Sequence, residues 1–295
     1  MNRTKAIVSS KFLGHIFTFT TIFIWSTAFV SNKALLNYLS PIQNMFFRFA
    51  IAYVLLLAIY PKEFFPKSIK DELHFAFIGF LGIFLYFILE NFSLKYTQAT
   101  NVGLYMGAIP LFTAIFAHFF TKDESLKRDI VIGFLVALSG MILILFDGSG
   151  FTLRVKGDLL AVIGAMVFAL YSVFLKLIPK NYHYIAVTRK SFFWGLFYIL
   201  LYIFYFDINF NIKALGEMSV FLNILYLGIL SSGLAFILWN RGIEKIGSIS
   251  AANYIYLVPL ITAITGILIL GETVSIKMVI GGVLILIGLY IAQKR

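Results

Sequence analysis

The sequence predicts an all-α integral membrane protein with ten transmembrane helices, arranged as two five-helix repeats that face opposite ways. Three observations support this fold class: a very apolar composition, ten apolar runs of membrane-spanning length, and an internal repeat. Of the 295 residues, 61% are hydrophobic and 13% are charged, whereas soluble chains are about half apolar and a quarter charged. A water-soluble core cannot hide that much apolar surface, so the bilayer is the expected solvent.

The ten apolar runs follow one another with short connections, which leaves no room for a soluble domain. A helix needs about 20 residues to cross about 30 Å of hydrocarbon. The runs lack the alternating pattern of β-barrel strands, so helices are expected. The first run follows a basic start without a cleavage site, which favours a retained span over a signal peptide. The predicted spans are 12–31, 43–60, 74–94, 101–120, 128–146, 157–177, 187–206, 220–240, 248–269 and 274–292.

The basic residues predict the orientation. With the N-terminus inside, seventeen lysines and arginines fall in inner segments and six in outer segments, while Arg48 lies within a span. This asymmetry predicts a multi-pass protein of the cell (plasma) membrane with both termini in the cytoplasm. The net charge of +11 is spread over short loops and forms no basic patch, so nucleic acid is not an expected partner.

The internal repeat is the most informative feature of the sequence. Residues 78–115 align without a gap on residues 227–264, a shift of about 149 residues. The boundaries of the two repeats are expected near 1–150 and 151–295. The matched pairs include Gly79 with Gly228, Asn91 with Asn240, Tyr105 with Tyr254 and Pro110 with Pro259, and, after a one-residue slip, Gly133 with Gly281 and Gly140 with Gly288.

The odd number of spans in each repeat has a direct consequence for topology. The second copy must enter the membrane from the opposite side, so a pseudo-twofold axis in the membrane plane relates the two halves. Inverted repeats of this kind are typical of transporters, whose substrate site lies between the halves near the midplane.

Three segments carry a family resemblance. They are the stretch from Trp25 to Lys33, the stretch from Tyr105 to Pro110 followed by Asp123 and Glu124, and residues 253–272. In these segments the chain resembles the repeated domain of the EamA family, within the drug/metabolite transporter superfamily. The resemblance implies ten helices, cytoplasmic termini and a central cavity, and transport of amino acids, related metabolites or drugs, often outward. Phe168 stands where the second repeat would match Trp25.

Glu90 is the first candidate for substrate binding, with Asn91 beside it near the outer end of the third span. A carboxylate at that depth is costly unless it is paired, solvated or protonated. One hypothesis is that Glu90 binds a substrate ammonium group or a coupling proton. The alternative is a structural ion pair with Arg48, which is expected at a similar depth.

Further candidates come from helix faces and from the repeat. A tryptophan among small residues on the first helix suggests a ring that lines the cavity, and close helix packing is the alternative reading. The tyrosines at equivalent repeat positions need partners for their hydroxyls, which argues against lipid-facing positions. The predicted substrate-binding residues are Trp25, Glu90, Asn91, Tyr105, Tyr171, Asn240, Asn253 and Tyr254.

Other residues receive structural interpretations. Pro110 and Pro259 should interrupt their helices, since proline removes a hydrogen bond of the ladder. Glu124 and Glu272 are expected to cap the fifth and tenth helices, which they precede. Trp239, near a predicted span end, is interpreted as an interfacial anchor.

The function predicted is secondary transport of small organic metabolites by alternating access, with export of amino acids or related amphiphilic compounds favoured. Uptake of a cationic or nucleoside-like solute is the alternative within transport. A channel or an intramembrane enzyme is disfavoured, because neither a repeated filter nor a catalytic motif is present. We expect no cofactor and no metal, a proton or counter-substrate as driving partner, and a monomer or weak dimer. The chain contains no cysteine.

Overall fold

The computed structural model describes residues 2–97, 99–145, 153–270 and 275–294. Within these ranges every regular element is helical, as the apolar runs predict. The α-helices of the first half of the chain are α1 (Asn2–Leu35), α2 (Pro41–Ile59), α3 (Ile69–Gly79), α4 (Tyr86–Tyr96), α5 (Ala99–Met106), α6 (Ile109–Phe120) and α7 (Arg128–Leu145).

The second half repeats this order of long and interrupted helices. Two short 3₁₀ segments, Ile212–Gly216 and Asn253–Tyr256, complete it. Its α-helices are α8 (Val155–Lys176), α9 (Tyr184–Tyr205), α10 (Met218–Leu225), α11 (Ala235–Ile246), α12 (Ser248–Ala252), α13 (Leu257–Leu270) and α14 (Ile276–Gln293).

Several of these helices are long and apolar enough to cross a membrane. Seven such segments lie in the described ranges, and a shorter apolar helix covers Ser248–Thr262. The protein is therefore a multi-pass membrane protein, while ten crossings remain a prediction. The seven segments are Pro41–Ile59, Ile69–Tyr96, Asn101–Phe120, Val155–Lys176, Tyr184–Tyr205, Met218–Ile246 and Ile276–Gln293.

Two of the long helices contain π-helical turns. Phe80–Leu85 joins α3 to α4, and Tyr226–Leu234 joins α10 to α11, in both cases without a break in the helix. A π-turn replaces the regular i→i−4 hydrogen bonds and often marks a functional position. The second π-segment faces α2 and α1, and it supplies Ser231 to the wall of the cavity described below.

The helix interruptions predicted at the prolines are present. α5 ends at Met106, and α6 begins at Ile109 with Pro110 in its first turn. In the second half, the 3₁₀ segment Asn253–Tyr256 separates α12 from α13, and Pro259 lies in the first turn of α13. Proline lacks the N–H that would continue the ladder, so the chain changes direction before each of these residues.

The α7–α14 pair makes the most extensive contact among the described helices, and glycines permit it. A Cβ atom built on Gly133 would lie 2.6 Å from the carbonyl oxygen of Gly288, and one on Gly281 would lie 2.6 Å from that of Gly140. Real Cβ atoms do not approach carbonyl oxygens so closely. Small residues let helix backbones come into contact in membranes. There van der Waals packing, and not the hydrophobic effect, stabilises the association of helices.

Glycines also permit close contact in two other helix pairs. Gly14 of α1 packs against Lys245 and Ile246 at the end of α11, while Gly157 of α8 packs against the end of α4 at residues 96–97. α1 with α11 and α4 with α8 are, after α7 with α14, the most extensive helix contacts. These pairs hold the first half of the chain against the second.

The connection between α2 and α3 is fixed by two buried cations on α9. The Arg189 guanidinium donates hydrogen bonds to backbone carbonyls of Tyr60, Lys62 and Glu63, the latter two at 2.9 Å. The Lys190 ammonium donates to the carbonyl of Phe64 at 2.8 Å. Both side chains are buried, so these carbonyls serve in place of water as partners for the charges.

Candidate functional site

A cavity of about 80 Å³ lies in the interior, between helices of both halves. It has room for about five to eight water molecules, or a solute of similar size. Most of its wall is apolar, and a few polar groups converge on it, which is typical of small-molecule sites. It is lined by Ile22, Trp25, Ala28, Asn32, Arg48, Tyr86, Phe87, Glu90, Gly103, Met106, Gly107, Ile109, Phe168, Ser231, Phe236, Ile255 and Val258.

Arg48 places a buried guanidinium on this wall. Its Nε donates a hydrogen bond to the Ser232 hydroxyl at 2.9 Å, and its Nη2 donates to the Ser231 hydroxyl at 3.1 Å. The guanidinium also lies 4.8 Å from the centre of the Phe87 ring, a cation–π contact. A guanidinium has five N–H donors, so the hydroxyl bonds described for Arg48 leave donors for a ligand in the cavity.

Glu90 contributes the opposite charge to the same cavity and is 5% exposed. Its Oε1 accepts a hydrogen bond from the Tyr86 hydroxyl at 3.2 Å. Among the described ion pairs, which reach to 4.0 Å between nitrogen and oxygen, none joins Glu90 to Arg48. The two opposite charges therefore face one small space without forming a direct ion pair.

Trp25 is held on the cavity wall by the π-helical segment of the other half. Its indole Nε1 donates to the carbonyl oxygen of Ser231 at 3.0 Å. The π-turn alters the regular backbone pairing around that residue, so a carbonyl there is open to a side-chain donor. Ser231 thereby bonds Trp25 through its backbone and Arg48 through its hydroxyl, and the ring and the cation are positioned together.

An aromatic layer closes one end of the cavity. The ring centre of Trp25 lies 5.2 Å from that of Trp239 and 5.7 Å from that of Phe168. Phe168 in turn contacts Tyr171, with ring centres 5.7 Å apart. Trp239 and Tyr171 are buried. We call these four residues the aromatic layer. The interpretation of Trp239 as an interfacial anchor is wrong, because its ring has no contact with the surface.

Beyond the aromatic layer, a vestibule of about 910 Å³ opens on the face that carries both chain ends. We call this side the terminal face, since the Lys245 ammonium bonds the Ser10 hydroxyl there at 2.9 Å. Cations outnumber carboxylates around the vestibule. Its charged lining residues are Lys11, Asp123, Glu124, Lys127, Lys176, Lys180, Arg241, Glu244, Lys245 and Lys294.

Tyr171 and Asn240 connect the aromatic layer to the vestibule. The Tyr171 hydroxyl donates to Asn240 Oδ1 at 3.4 Å, and Asn240 Nδ2 donates to the Thr188 hydroxyl at 2.7 Å. Asn240 lines the vestibule, whereas Trp25 and Glu90 line the cavity. The predicted residues thus lie on both sides of the layer rather than around one pocket.

Two of the predicted asparagines turn toward backbone groups instead of the cavity. Asn91 is buried, and its Nδ2 donates to the carbonyl of Phe87 on its own helix at 2.7 Å. Asn253 is also buried, and its Nδ2 donates to the carbonyl of Ala292 on α14 at 3.2 Å. Each bond satisfies an amide Nδ2 and a backbone carbonyl in an apolar interior, while Oδ1 of both asparagines is buried without a hydrogen-bond partner among the described residues.

The two repeat-related tyrosines make similar contacts at opposite faces. The Tyr254 hydroxyl lies 2.9 Å from His15 Nδ1 on α1, near the terminal face. Tyr105 lies beside the Asp158 carboxylate on α8, which accepts hydrogen bonds from the Thr97 hydroxyl at 2.7 Å and the Arg154 N–H at 2.7 Å. Neither tyrosine is on the cavity wall.

Glu124 caps a helix, but a different one from the helix expected. Its carboxylate accepts hydrogen bonds from the backbone N–H groups of Ser248 and Ile249, both at 3.2 Å, and from the Ser248 hydroxyl. It therefore caps α12 of the second half, not α7. Lys176 pairs with the same carboxylate at 3.1 Å. The related prediction for Glu272 lies outside the described residues.

Asp123 supports this contact from the surface. Its Oδ1 accepts a hydrogen bond from Lys176 Nζ at 2.7 Å. That hydrogen bond holds the pKa of the Asp123 carboxyl below its ordinary value. Because the Asp123 side chain is 72% exposed, solvent screens the pair, and it adds little to stability.

We expect Glu124→Gln to lower the melting temperature of the purified protein by a few degrees. The amide has one acceptor oxygen and no charge, so α12 loses one cap bond and Lys176 loses its ion pair. A lost cap costs about 0.5–2 kcal/mol. Thermal unfolding in detergent measures the effect, with Asp123→Asn on the adjacent exposed residue as the control. Equal losses in the two variants would contradict the capping role.

Of the residues that line the cavity, the sequence predicts Glu90 and Trp25 as site residues and Arg48 only as a partner for Glu90. A charged residue inside a span is itself a signal of a functional position, and it was sufficient to select Arg48. Ser231 and Ser232 carry no comparable signal. Only the packing of the π-helical segment Tyr226–Leu234 against α2 brings them next to Arg48.

A helical membrane protein with a charged internal cavity and a wide vestibule on one face has the architecture of a solute transporter. The chain belongs to the EamA-like transporter family, whose profile matches residues 12–146 and again residues 155–293. The family resemblance seen in the sequence is thereby confirmed.

The chain is also similar to curated relatives and to a solved structure. The chain is 28% identical over 290 residues to an uncharacterized transporter of Archaeoglobus fulgidus, covering 95% of this chain and 97% of that protein. It is 29% identical over 268 residues to the uncharacterized transporter YyaM of Bacillus subtilis, covering 88% and 87%. A crystal structure matches 97% of this chain and 96% of its own, with a TM-score of 0.75 and 22% identity, which shows a shared fold.

Proposed function

We propose that the protein is a secondary transporter that exports amino acids or closely related amphiphilic metabolites by alternating access. One observation carries the proposal: Arg48 and Glu90 line the same small cavity without pairing with each other. An amino acid offers a carboxylate and an ammonium group on adjacent atoms. The two charges of the cavity match the two charges of that solute.

The energetics favour a zwitterion over a singly charged solute. A buried charge is stable only when it is paired and hydrogen-bonded. The substrate carboxylate would accept hydrogen bonds from the guanidinium of Arg48, and charge-assisted bonds of this kind are among the strongest in proteins. Its ammonium would donate to Glu90. A cation alone would leave Arg48 unmatched, and an anion alone would leave Glu90 unmatched.

The path follows from the two spaces and the layer between them. Rearrangement of the aromatic layer would connect the cavity to the vestibule at the terminal face. The excess of lysine and arginine in the predicted inner segments supports a cytoplasmic location for that face. Substrate would then load from the cytoplasmic side, which supports export across the plasma membrane.

The reciprocal helix contacts support two inverted repeats, bounded near 1–150 and 151–295, and ten crossings. Gly133 matches Gly281 in the repeat, and Gly140 matches Gly288. In space Gly133 meets Gly288, while Gly140 meets Gly281. A twofold axis that relates the two halves predicts this crossed pairing. If Gly133 contacts Gly288, then Gly281, which is equivalent to Gly133, must contact Gly140, which is equivalent to Gly288. The family matches at residues 12–146 and 155–293, one in each half, support the proposal of two repeats.

Coupling to an ion or solute gradient is the expected source of energy. The sequence has no P-loop, so exchange with a counter-substrate or a proton gradient would drive transport. Glu90 is then the group placed to take a proton as the substrate ammonium leaves. The pathway lies within one chain, which supports action as a monomer or weak dimer.

Liposome reconstitution tests the proposal. We expect the purified protein to exchange radiolabelled neutral amino acids across the vesicle membrane, because both charges of the solute find partners. Two analogues with the same side chain should be poor substrates: the amine, which lacks the carboxylate, and the monocarboxylate, which lacks the ammonium group. Exchange of the amine alone would instead indicate a carrier for cations, and the absence of flux for all three solutes would overturn the proposal.

A further inference from the structure

Gly103 on α5 is an unusual glycine, because it faces open space. At most glycines, an added Cβ atom would meet neighbouring atoms outside its own helix backbone. Among the described glycines, only Gly103 and Gly216 would meet nothing within 4 Å. Gly216 lies at the exposed end of a short 3₁₀ segment, whereas Gly103 lies on the wall of the central cavity.

Neither packing nor backbone geometry requires glycine at position 103. Helix packing explains Gly133 and Gly281, whose Cβ atoms would strike a neighbouring backbone. A positive φ angle explains Gly247, whose φ is 87°, but Gly103 lies in a regular helical turn. Glycine is a poorer helix former than alanine, so the helix would gain from a side chain there. What glycine provides at this position is space in the cavity.

The surroundings of that space are apolar. Met106 follows Gly103 by three residues on α5, so the two share one helix face. Gly107 comes directly after the end of α5, and all three residues line the cavity. Ile255 and Val258 from the second half also line it. The Met106 sulfur lies 3.9 Å from the Tyr86 hydroxyl, which itself bonds Glu90. The apolar wall thus continues directly from the charged groups.

We propose that Gly103 sets the largest side chain that the transporter accepts, and that the substrates are amino acids with apolar side chains. This inference rests on the proposed function. With the substrate carboxylate at Arg48 and its ammonium at Glu90, the side chain extends along the face formed by Gly103, Met106 and Gly107. A side chain at position 103 takes the volume that the substrate side chain needs.

The test measures exchange of glycine, alanine, valine, leucine and phenylalanine by liposomes containing the native protein, Gly103→Ala, Gly103→Val or Gly216→Ala. In Gly103→Ala we expect leucine exchange to fall about tenfold relative to alanine exchange, since one methyl group in an apolar pocket changes selectivity by about 10- to 200-fold. Gly103→Val should also reduce alanine exchange. Gly216→Ala should keep the native ratios.

The outcomes separate this inference from the proposed function. If the native protein exchanges amino acids and Gly103→Ala keeps the native ratio of leucine to alanine, the inference fails and the proposed function stands. If the native protein exchanges none of the five, both fail. The melting temperature of Gly103→Ala should equal or exceed the native value, so a loss of leucine exchange would not come from misfolding.

Discussion

Replacement of Glu90 by glutamine is expected to lower the transport of neutral amino acids about a hundredfold. Removing one partner of a buried, hydrogen-bonded charge pair costs about 2–5 kcal/mol. In Glu90→Gln the substrate ammonium would enter the cavity without a carboxylate, while Arg48 would still bind the substrate carboxylate. Transport of the monocarboxylate that lacks the ammonium group should therefore increase relative to transport of the amino acid. Competition assays in reconstituted vesicles would measure this ratio.

Glu244→Gln provides the control for this experiment. Glu244 is a half-exposed residue of the vestibule that pairs with Arg241 one turn away at 2.7 Å. An exposed pair of this kind contributes little to stability, so the variant should transport as the native protein does. If Glu90→Gln transported amino acids normally across the neutral pH range, Glu90 would have no role in binding the ammonium or a coupling proton.

Replacement of Gly281 by valine is expected to prevent stable folding. At this position an added Cβ atom would lie 2.6 Å from the carbonyl oxygen of Gly140 and 2.7 Å from Ile144 Cγ1. A backbone atom of a packed helix cannot move aside alone, so α7 and α14 would have to separate. Overpacking usually costs about 1–3 kcal/mol and occasionally more. Here we expect the upper end, because the obstacle is backbone and the contact is the most extensive in the fold.

The adjacent glycine supplies a matched control for that measurement. A Cβ atom on Gly282 would meet only Leu260 Cδ1, at 2.9 Å, and the end of a leucine side chain can rotate away. Gly282→Val should therefore yield monodisperse protein in size-exclusion chromatography, and Gly281→Val should aggregate or fail to accumulate. Similar yields and melting temperatures for the two variants would contradict the close glycine contact.

The sequence predicts the helical membrane class well, because the bilayer imposes a length rule on consecutive residues. The seven long apolar helices agree with predicted spans, and the interruptions near Pro110 and Pro259 agree with the missing N–H of proline. The repeat can likewise be predicted from the sequence. Glycines occur at matched positions of the two halves, where α7 and α14 pack closely together. The family profile matches once in each half, over residues 12–146 and 155–293.

The candidate site is less well predicted, because depth in the membrane does not determine direction around a helix axis. Asn91 follows Glu90 directly, yet Glu90 faces the cavity while Asn91 bonds its own helix. Adjacent residues on a helix point about 100° apart, so a polar pair in the sequence need not be a polar pair in space. The packing of α4 against α8 decides which of the two meets the cavity.

Contacts between the halves were decided by tertiary structure alone. Glu124 caps α12, more than 120 residues further along the chain, and Arg48 takes its partners from a π-helical segment 183 and 184 residues away. Trp239 is buried among rings from α1 and α8 instead of lying at the interface.

The amino-acid sequence by itself thus determined that the protein lies in a lipid bilayer, where its helices run and are interrupted, and that its two halves are similar. The helices and their interruptions depend on residues that are close in sequence and on the thickness of the hydrocarbon layer. The tertiary structure determined which buried charge is matched, which ring closes the cavity and which glycine leaves space in it. These properties depend on how helices from the two halves of the chain pack together. The local sequence pattern does not determine the rotation of each helix about its axis or its distance from its neighbours.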